Sequence, residues 1–86
     1  MALETDSAVV GRDWVLVGDG VTELYANEEI TGTMWAYMTA PDGTAPTIDS
    51  PRVAFNGAFS YRGPDAQDIY FYSNNGETEL GFFYGQ

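Results

Sequence analysis

The strongest constraint in this sequence is the stretch 68–84, in which two β-rich, aromatic runs flank Asn75-Gly76. An Asn-Gly pair in that setting is typical of a two-residue type I′ turn, because both central positions of that turn need a positive φ. The pattern predicts a hairpin in which Phe71 lies beside Leu80. Since side chains alternate across a strand, the hairpin has one core face and one outer face. The core face carries Ile69, Phe71, Leu80, Phe82 and Tyr84, and the outer face carries Tyr70, Tyr72, Gly81 and Phe83.

The rest of the chain also favours short strands separated by turns. Gly18-Asp19-Gly20 predicts a turn between strands at 13–17 and 21–26, and Asn56-Gly57 predicts a second type I′ hairpin. Three prolines and one glycine in 40–51 exclude helix and indicate a long loop. About seven short strands with nearly no helix signals predict an all-β fold. The expected architecture is a small antiparallel β-sandwich or barrel with an immunoglobulin-like or jelly-roll-like layout.

A chain of 86 residues is long enough for one domain. We divide it into an N-terminal arm, residues 1–10, and a single β domain, residues 11–86. The arm carries Val9-Val10, which would suit docking on a neighbour; a frayed terminus or a first strand explains the same residues. The domain core is expected to contain Trp14, Leu16, Ile69, Phe71, Leu80 and Phe82.

The charge balance excludes several classes of partner. The formal net charge is −10, from 13 acidic residues against three arginines, and the chain has no histidine. Neutralising nucleic-acid phosphates or an anionic membrane surface needs basic clusters, so neither partner is expected. The N-terminus lacks the basic and apolar regions of a signal peptide. The acidity itself has two open interpretations, solubility and a high-salt habitat.

The residues that usually carry catalysis are missing. Cysteine, histidine and lysine are all absent, and the carboxylates Glu77 and Glu79 lie beside an exposed turn, which does not provide the burial that acid–base catalysis by a carboxyl group needs. We therefore expect no enzyme activity. Asp19, Asp42 and Asp65 lie in turns, where aspartate is common for conformational reasons. No metal site and no cofactor is predicted.

The aromatic residues exceed what one core needs. Trp35 and Tyr37 share a face of a strand that is apolar on both sides, and the last hairpin adds further rings. Two interpretations stay open: a two-sided core, in which both faces of the middle strands are buried in one sandwich or under the Pro-rich loop, or a binding interface. The predicted interface comprises Trp35, Tyr37, Tyr70, Tyr72 and Phe83, together with Val9 and Val10 of the arm.

The layout resembles one family of proteins. A Trp-bearing strand at 14–17, a Pro-rich loop within 33–51 and an aromatic end at 69–84 are similar to small all-β accessory proteins of tailed-phage virions. The resemblance implies a virion structural protein, made in the host cytoplasm. Its expected role is a capsid decoration or cement protein, or a head-fibre or turret component. The implied partners are further copies of the chain and other capsid proteins.

Two hypotheses from other classes stay beside the virion role. In a carbohydrate-binding β-sandwich module, Trp35, Tyr37, Tyr70 and Tyr72 would stack on sugar rings of a glycan. In a small acidic regulator, the carboxylates would imitate a polyanion, although they are scattered along the chain.

Overall fold

The computed structural model describes residues 3–27, 34–74 and 76–86, and it is built from strands. Within these ranges it contains β1 (Glu4–Val10), β2 (Val15–Asn27), β3 (Met34–Thr39), β4 (Val53–Phe55), β5 (Ala58–Ser73) and β6 (Thr78–Gly85). The strands form one open antiparallel sheet in the order β1-β6-β2-β5-β3-β4. The predicted all-β class is confirmed. None of the described residues belongs to a helix that could cross a membrane.

The predicted C-terminal hairpin is wrong in its pairing. β5 and β6 are not neighbours, because β2 lies between them and pairs with both. Phe71 is paired with Val15 and Ala36, and Leu80 is paired with Ala8 of β1. The chain therefore leaves β5 for the other side of the core instead of folding back beside it.

The second predicted hairpin fails for a reason that the backbone shows. β4 pairs with β3 and not with β5. Gly57 has a φ of 86°, whereas Asn56 is not among the described residues with a positive φ. A turn with a positive φ only at its second central residue is not type I′, and such unprimed turns splay the flanking strands. Gly76 has a φ of 87°, and Asn75 lies outside the described residues.

The predicted turn at Gly18-Asp19-Gly20 is also wrong, because β2 runs through it without interruption. The register between β2 and β5 shifts at three points between Leu16 and Glu23. Gly20 has a φ of 62° within this irregular segment, which is typical of a β-bulge that bends a strand. β2 and β5 thus bend together, and the turn residues produce curvature rather than a reversal.

This bend makes the single sheet two-layered. The first layer consists of β1, β6, residues 23–27 of β2 and residues 58–62 of β5; the second consists of residues 15–18 of β2, residues 67–73 of β5, β3 and β4. Leu80 and Phe82 from the first layer share one core with Met34 and Phe71 from the second. The smallest dimension is 16 Å, which suits two layers about 10 Å apart.

The core prediction is confirmed for four residues and wrong for Leu16. Ile69, Phe71, Leu80 and Phe82 are buried. Leu16 is 40% exposed, because it is paired with Tyr70 on the outer side of the second layer. Trp14 is half-buried and lies on the same outer side, where its ring contacts Tyr72. Residues 4–10 form strand β1, which is the alternative to a docking arm that the sequence left open.

Candidate functional site

The outer side of the second layer carries a cluster of rings, which we call the aromatic face: Trp14, Trp35, Tyr37, Tyr70 and Tyr72. The register places Trp35 opposite Tyr72 and Tyr37 opposite Tyr70. Trp14, which precedes β2, joins them with ring centroids 5.4 Å from Tyr72 and 6.1 Å from Tyr37. Neighbouring rings in the cluster are inclined by 45° to 66°, so they do not form a flat platform.

The Pro-rich loop at 40–52 closes over part of the aromatic face. Trp14 Nε1 donates a 2.9 Å hydrogen bond to the carbonyl oxygen of Thr47. The guanidinium carbon of Arg52 lies 5.3 Å and 5.4 Å from the ring centroids of Trp35 and Tyr72, within cation–π range. Its Nη2 also donates to the carbonyl oxygen of Ile48. The loop is therefore held against the aromatic face at its middle, through Thr47, and at its last residue, Arg52.

Burial across the aromatic face is uneven. Tyr72 is buried, whereas Trp35, Tyr37 and Tyr70 are half-buried. Among the described residues, Trp35 Nε1 is a buried donor with no hydrogen-bond acceptor. The buried part of this face acts as a small second core beneath the loop, and the remaining ring surface is open to a partner.

Phe83 is separated from the other predicted interface residues. It lies on the outer side of the first layer, paired with Thr5 and Tyr25, while Tyr70 and Tyr72 lie on the outer side of the second layer. The inner sides of both layers face one shared core, so these outer sides point away from each other. The structure brings together four of the predicted rings and leaves Phe83 on another surface.

Phe83 forms one wall of an open groove of about 430 Å³, the apolar groove. Its outer lining includes Thr5, Tyr25, Ala58, Gly81 and Phe83. Gly81 and Ala58 leave the groove open, since a Cβ at Gly81 would meet only the Asp6 carbonyl oxygen, at 4.0 Å. Phe83 is 52% exposed, an unusual degree for a phenylalanine. The groove can therefore accept an apolar side chain or segment from a partner.

The two valines predicted for the interface differ completely in exposure. Val9 is 51% exposed on the same outer side as Phe83, whereas Val10 is fully buried in the core. Val10 thus has no surface left for a partner in this structure. Val9 lies on β1, the strand at the edge of the sheet beside the groove.

Two tyrosine hydroxyls donate hydrogen bonds to carboxylates, and these bonds raise the pKa of both tyrosines. The hydroxyl of Tyr25 donates a 2.8 Å hydrogen bond to Glu23, and this bond, with desolvation and the negative charge, raises the pKa of Tyr25 above 10.0. Tyr84 donates a similar bond to Glu4, which raises its pKa in the same way. Arg62 lies 3.8 Å from Glu23. No group of three potential metal ligands occurs among the described residues.

The sequence indicated the apolar groove only in part. Gly81 and Phe83 were expected on one outer face, but Tyr25 and Ala58 come from strands whose position beside β6 depends on the bend in β2. Trp14 was expected in the core and instead completes the aromatic face. A Gly beside an exposed Phe was the available signal for a groove.

No family model, no curated protein and no solved structure matches this chain.

Proposed function

We propose that the protein is a virion accessory protein of the decoration, cement, head-fibre or turret type, which binds other capsid subunits through its β-surface. The observation that carries this proposal is the apolar groove, in which a half-exposed Phe83 stands over the small residues Gly81 and Ala58. An exposed, rigid aromatic ring beside small residues leaves space for an apolar side chain of a protein partner to pack against the ring. The resemblance in layout supplies the class of that partner, a shell protein.

The strand architecture supports the same function. Both outer sides of the two-layered sheet carry apolar surface, the apolar groove on one and the open rings of the aromatic face on the other. A subunit with two such sides can contact two neighbours at once. The net charge of −10 adds repulsion between bound copies, so the contacts to a shell are expected to be apolar.

The glycan-binding alternative would use the aromatic face. The planes of neighbouring rings are inclined to one another by 45° to 66°, and Tyr72 is buried beneath the loop. A sugar could therefore stack its flat face only on one half-buried ring at a time. We therefore place the protein–protein function first. Retention on a polysaccharide gel by a monomer that binds no particle would favour the glycan instead.

The test begins with particles from a culture that carries this gene. Mass spectrometry of gradient-purified particles should find the chain, and purified protein added to stripped particles should rebind. Gly81→Val fills the groove without an internal clash, and Phe83→Ser removes its wall. Each should weaken rebinding about 30-fold, the equivalent of about 2 kcal/mol at the centre of an interface.

The matched control is Glu79→Gln, on the same strand and the same outer side but outside the groove lining. It should rebind as the unchanged chain does. Absence of the chain from purified particles, or rebinding that Gly81→Val leaves unchanged, would contradict the proposed function.

A further inference from the structure

We propose that two copies of this chain pair antiparallel through the free edge of β1, with Ser7 opposite Ser7 of the second copy. The inference rests on the proposed function only in treating the protein as an assembly subunit. It adds the identity of one partner, a second copy, and the register of the contact.

The edge of β1 is suited to pairing. β1 is the last strand in the sheet order, and no described strand pairs with its other side. Its seven residues pair with β6 in one unbroken register, and they include no proline and no lysine. Proline and bulges are two devices by which edge strands avoid pairing with another chain. Charged side chains are a third, and β1 carries the carboxylates of Glu4 and Asp6, which a pairing register has to keep apart. The free part ends near Val10, because the Gly11 carbonyl oxygen accepts a hydrogen bond from Ser73.

One hydrogen bond reveals which residues face the free edge. The backbone N–H of Ser7 donates to the exposed carboxylate of Asp6, at 2.7 Å, from which we infer that it points away from β6. Backbone groups alternate in direction along a strand, so Thr5, Ser7 and Val9 present theirs to the free edge. In an antiparallel pair, residues of this kind lie opposite each other and exchange two hydrogen bonds per pair.

Charge and backbone direction together select the register. With Ser7 at the centre, Thr5 lies opposite Val9, Asp6 opposite Ala8 and Glu4 opposite Val10, so no carboxylate faces another. A centre at Asp6 would place two aspartates directly opposite, which is destabilising. A centre at Ala8 would require the carbonyl of Gly11, whose backbone bond to Ser73 ties this end of β1 to β5. A centre at Ser7 requires a smaller exchange, in which the Ser7 N–H leaves the exposed Asp6 carboxylate for the second copy. The centred register also gives the longest overlap of β1 with itself.

This register covers exposed apolar surface next to the groove. Val9 and Phe83 are each about half exposed, at 51% and 52%. Thr5 is the direct neighbour of Phe83 on the outer side. Pairing places Val9 of the second copy beside Thr5, and so at the Phe83 wall of the groove. Each copy thereby extends the groove of the other.

Cysteine cross-linking tests the register directly, since the chain has no cysteine of its own. Ser7→Cys should oxidise to a disulfide-linked dimer, because hydrogen-bonded cross-strand positions are about 5.5 Å apart at Cα, within disulfide range. Thr5→Cys alone and Val9→Cys alone should not cross-link, since each lies roughly 14 Å from its own copy. A mixture of the two variants should form the mixed disulfide.

A second variant tests the contact without cross-linking. Ser7→Pro removes only an N–H that faces the free edge, and edge strands tolerate proline at such positions. It should stay folded by circular dichroism and become monomeric in sedimentation analysis. Asp6→Asn removes the charge that holds this N–H, and it should strengthen the dimer severalfold. Dimer formation should also increase with salt, which screens the repulsion between acidic copies.

A monomeric unchanged chain, or cross-linking of Val9→Cys with itself in place of Ser7→Cys, would overturn the inference. These outcomes are separable from the proposed function. A monomer that still binds particles contradicts the dimer alone, and a dimer with this register that binds no particle contradicts the proposed function alone.

Discussion

Phe71 connects the two layers of the sheet, and its truncation is the most direct test of the fold. Its ring is fully buried, and it lies 5.1 Å and 5.0 Å from the rings of Phe55 and Phe59. Phe71→Ala removes this packing and leaves a cavity, at an expected cost of about 3–5 kcal/mol. A domain of this size has a free energy of unfolding of roughly 4–13 kcal/mol, so the loss is a large share of the total.

Urea unfolding followed by tryptophan fluorescence measures this loss, because Trp14 and Trp35 both lie on the second layer. With a slope of about 1.3 kcal/mol per molar urea, the midpoint should fall by about 2–4 M. Phe71→Leu, which retains more of the volume, should cost about half as much and keeps the comparison measurable if the alanine variant unfolds.

The matched control is Leu16→Ala. Leu16 was expected to be one of the core residues, as was Phe71, but it is 40% exposed on the outer side of the second layer. Its truncation should therefore cost less than about 1.5 kcal/mol. If Leu16→Ala costs as much as Phe71→Ala, or if Phe71→Ala costs less than about 1 kcal/mol, the register of β2 against β5 described above is wrong.

Two further predictions concern a close packing contact and an alkaline titration. Gly18→Ala should lower the free energy of unfolding by about 1–3 kcal/mol, because the added Cβ would lie 2.9 Å from Val21 Cγ2. Gly81→Ala places its Cβ in open space and should lower it by less than about 1 kcal/mol. Urea unfolding measures both changes. The hydrogen bond to Glu4 raises the pKa of Tyr84 above 10.0, so its contribution to stability is complete below pH 10 and is lost as the pH rises through the folded-state pKa. Ultraviolet titration of tyrosinate should show this late ionisation, and Glu4→Gln should bring it back toward 10; an unchanged titration in that variant would contradict the hydrogen bond.

Some features of the site followed from the sequence because they are local. The alternation of side chains is set within each strand, so Ile69 and Phe71 were correctly separated from Tyr70 and Tyr72. The position of the Pro-rich loop outside the strands was confirmed for the same reason, since proline limits its own backbone and that of the residue before it. Such features depend on a few consecutive residues.

The pairing of strands could not be predicted because it depends on distant residues. Gly57 and Gly76 adopt the positive φ values that their turns suggested, yet both turns direct the chain across the core instead of back along the same strand. A turn pair limits the local backbone, while the gain from burying both layers decides which strand becomes the neighbour. The insertion of β2 between β5 and β6 is a result of that competition.

The sequence by itself determined the all-β class, the core side of each late strand and the excess of aromatic residues. Only the tertiary structure decided that four of the predicted rings join Trp14 on the outer side of the second layer, where the Pro-rich loop covers part of them. It also decided that Phe83 borders a groove on the other layer. The physical reason is the bend at Gly18–Gly20: one bulged segment rotates half of β2 onto the opposite side of the core. Phe83, which the sequence pattern assigned to one face with Tyr70 and Tyr72, therefore lies on a separate surface.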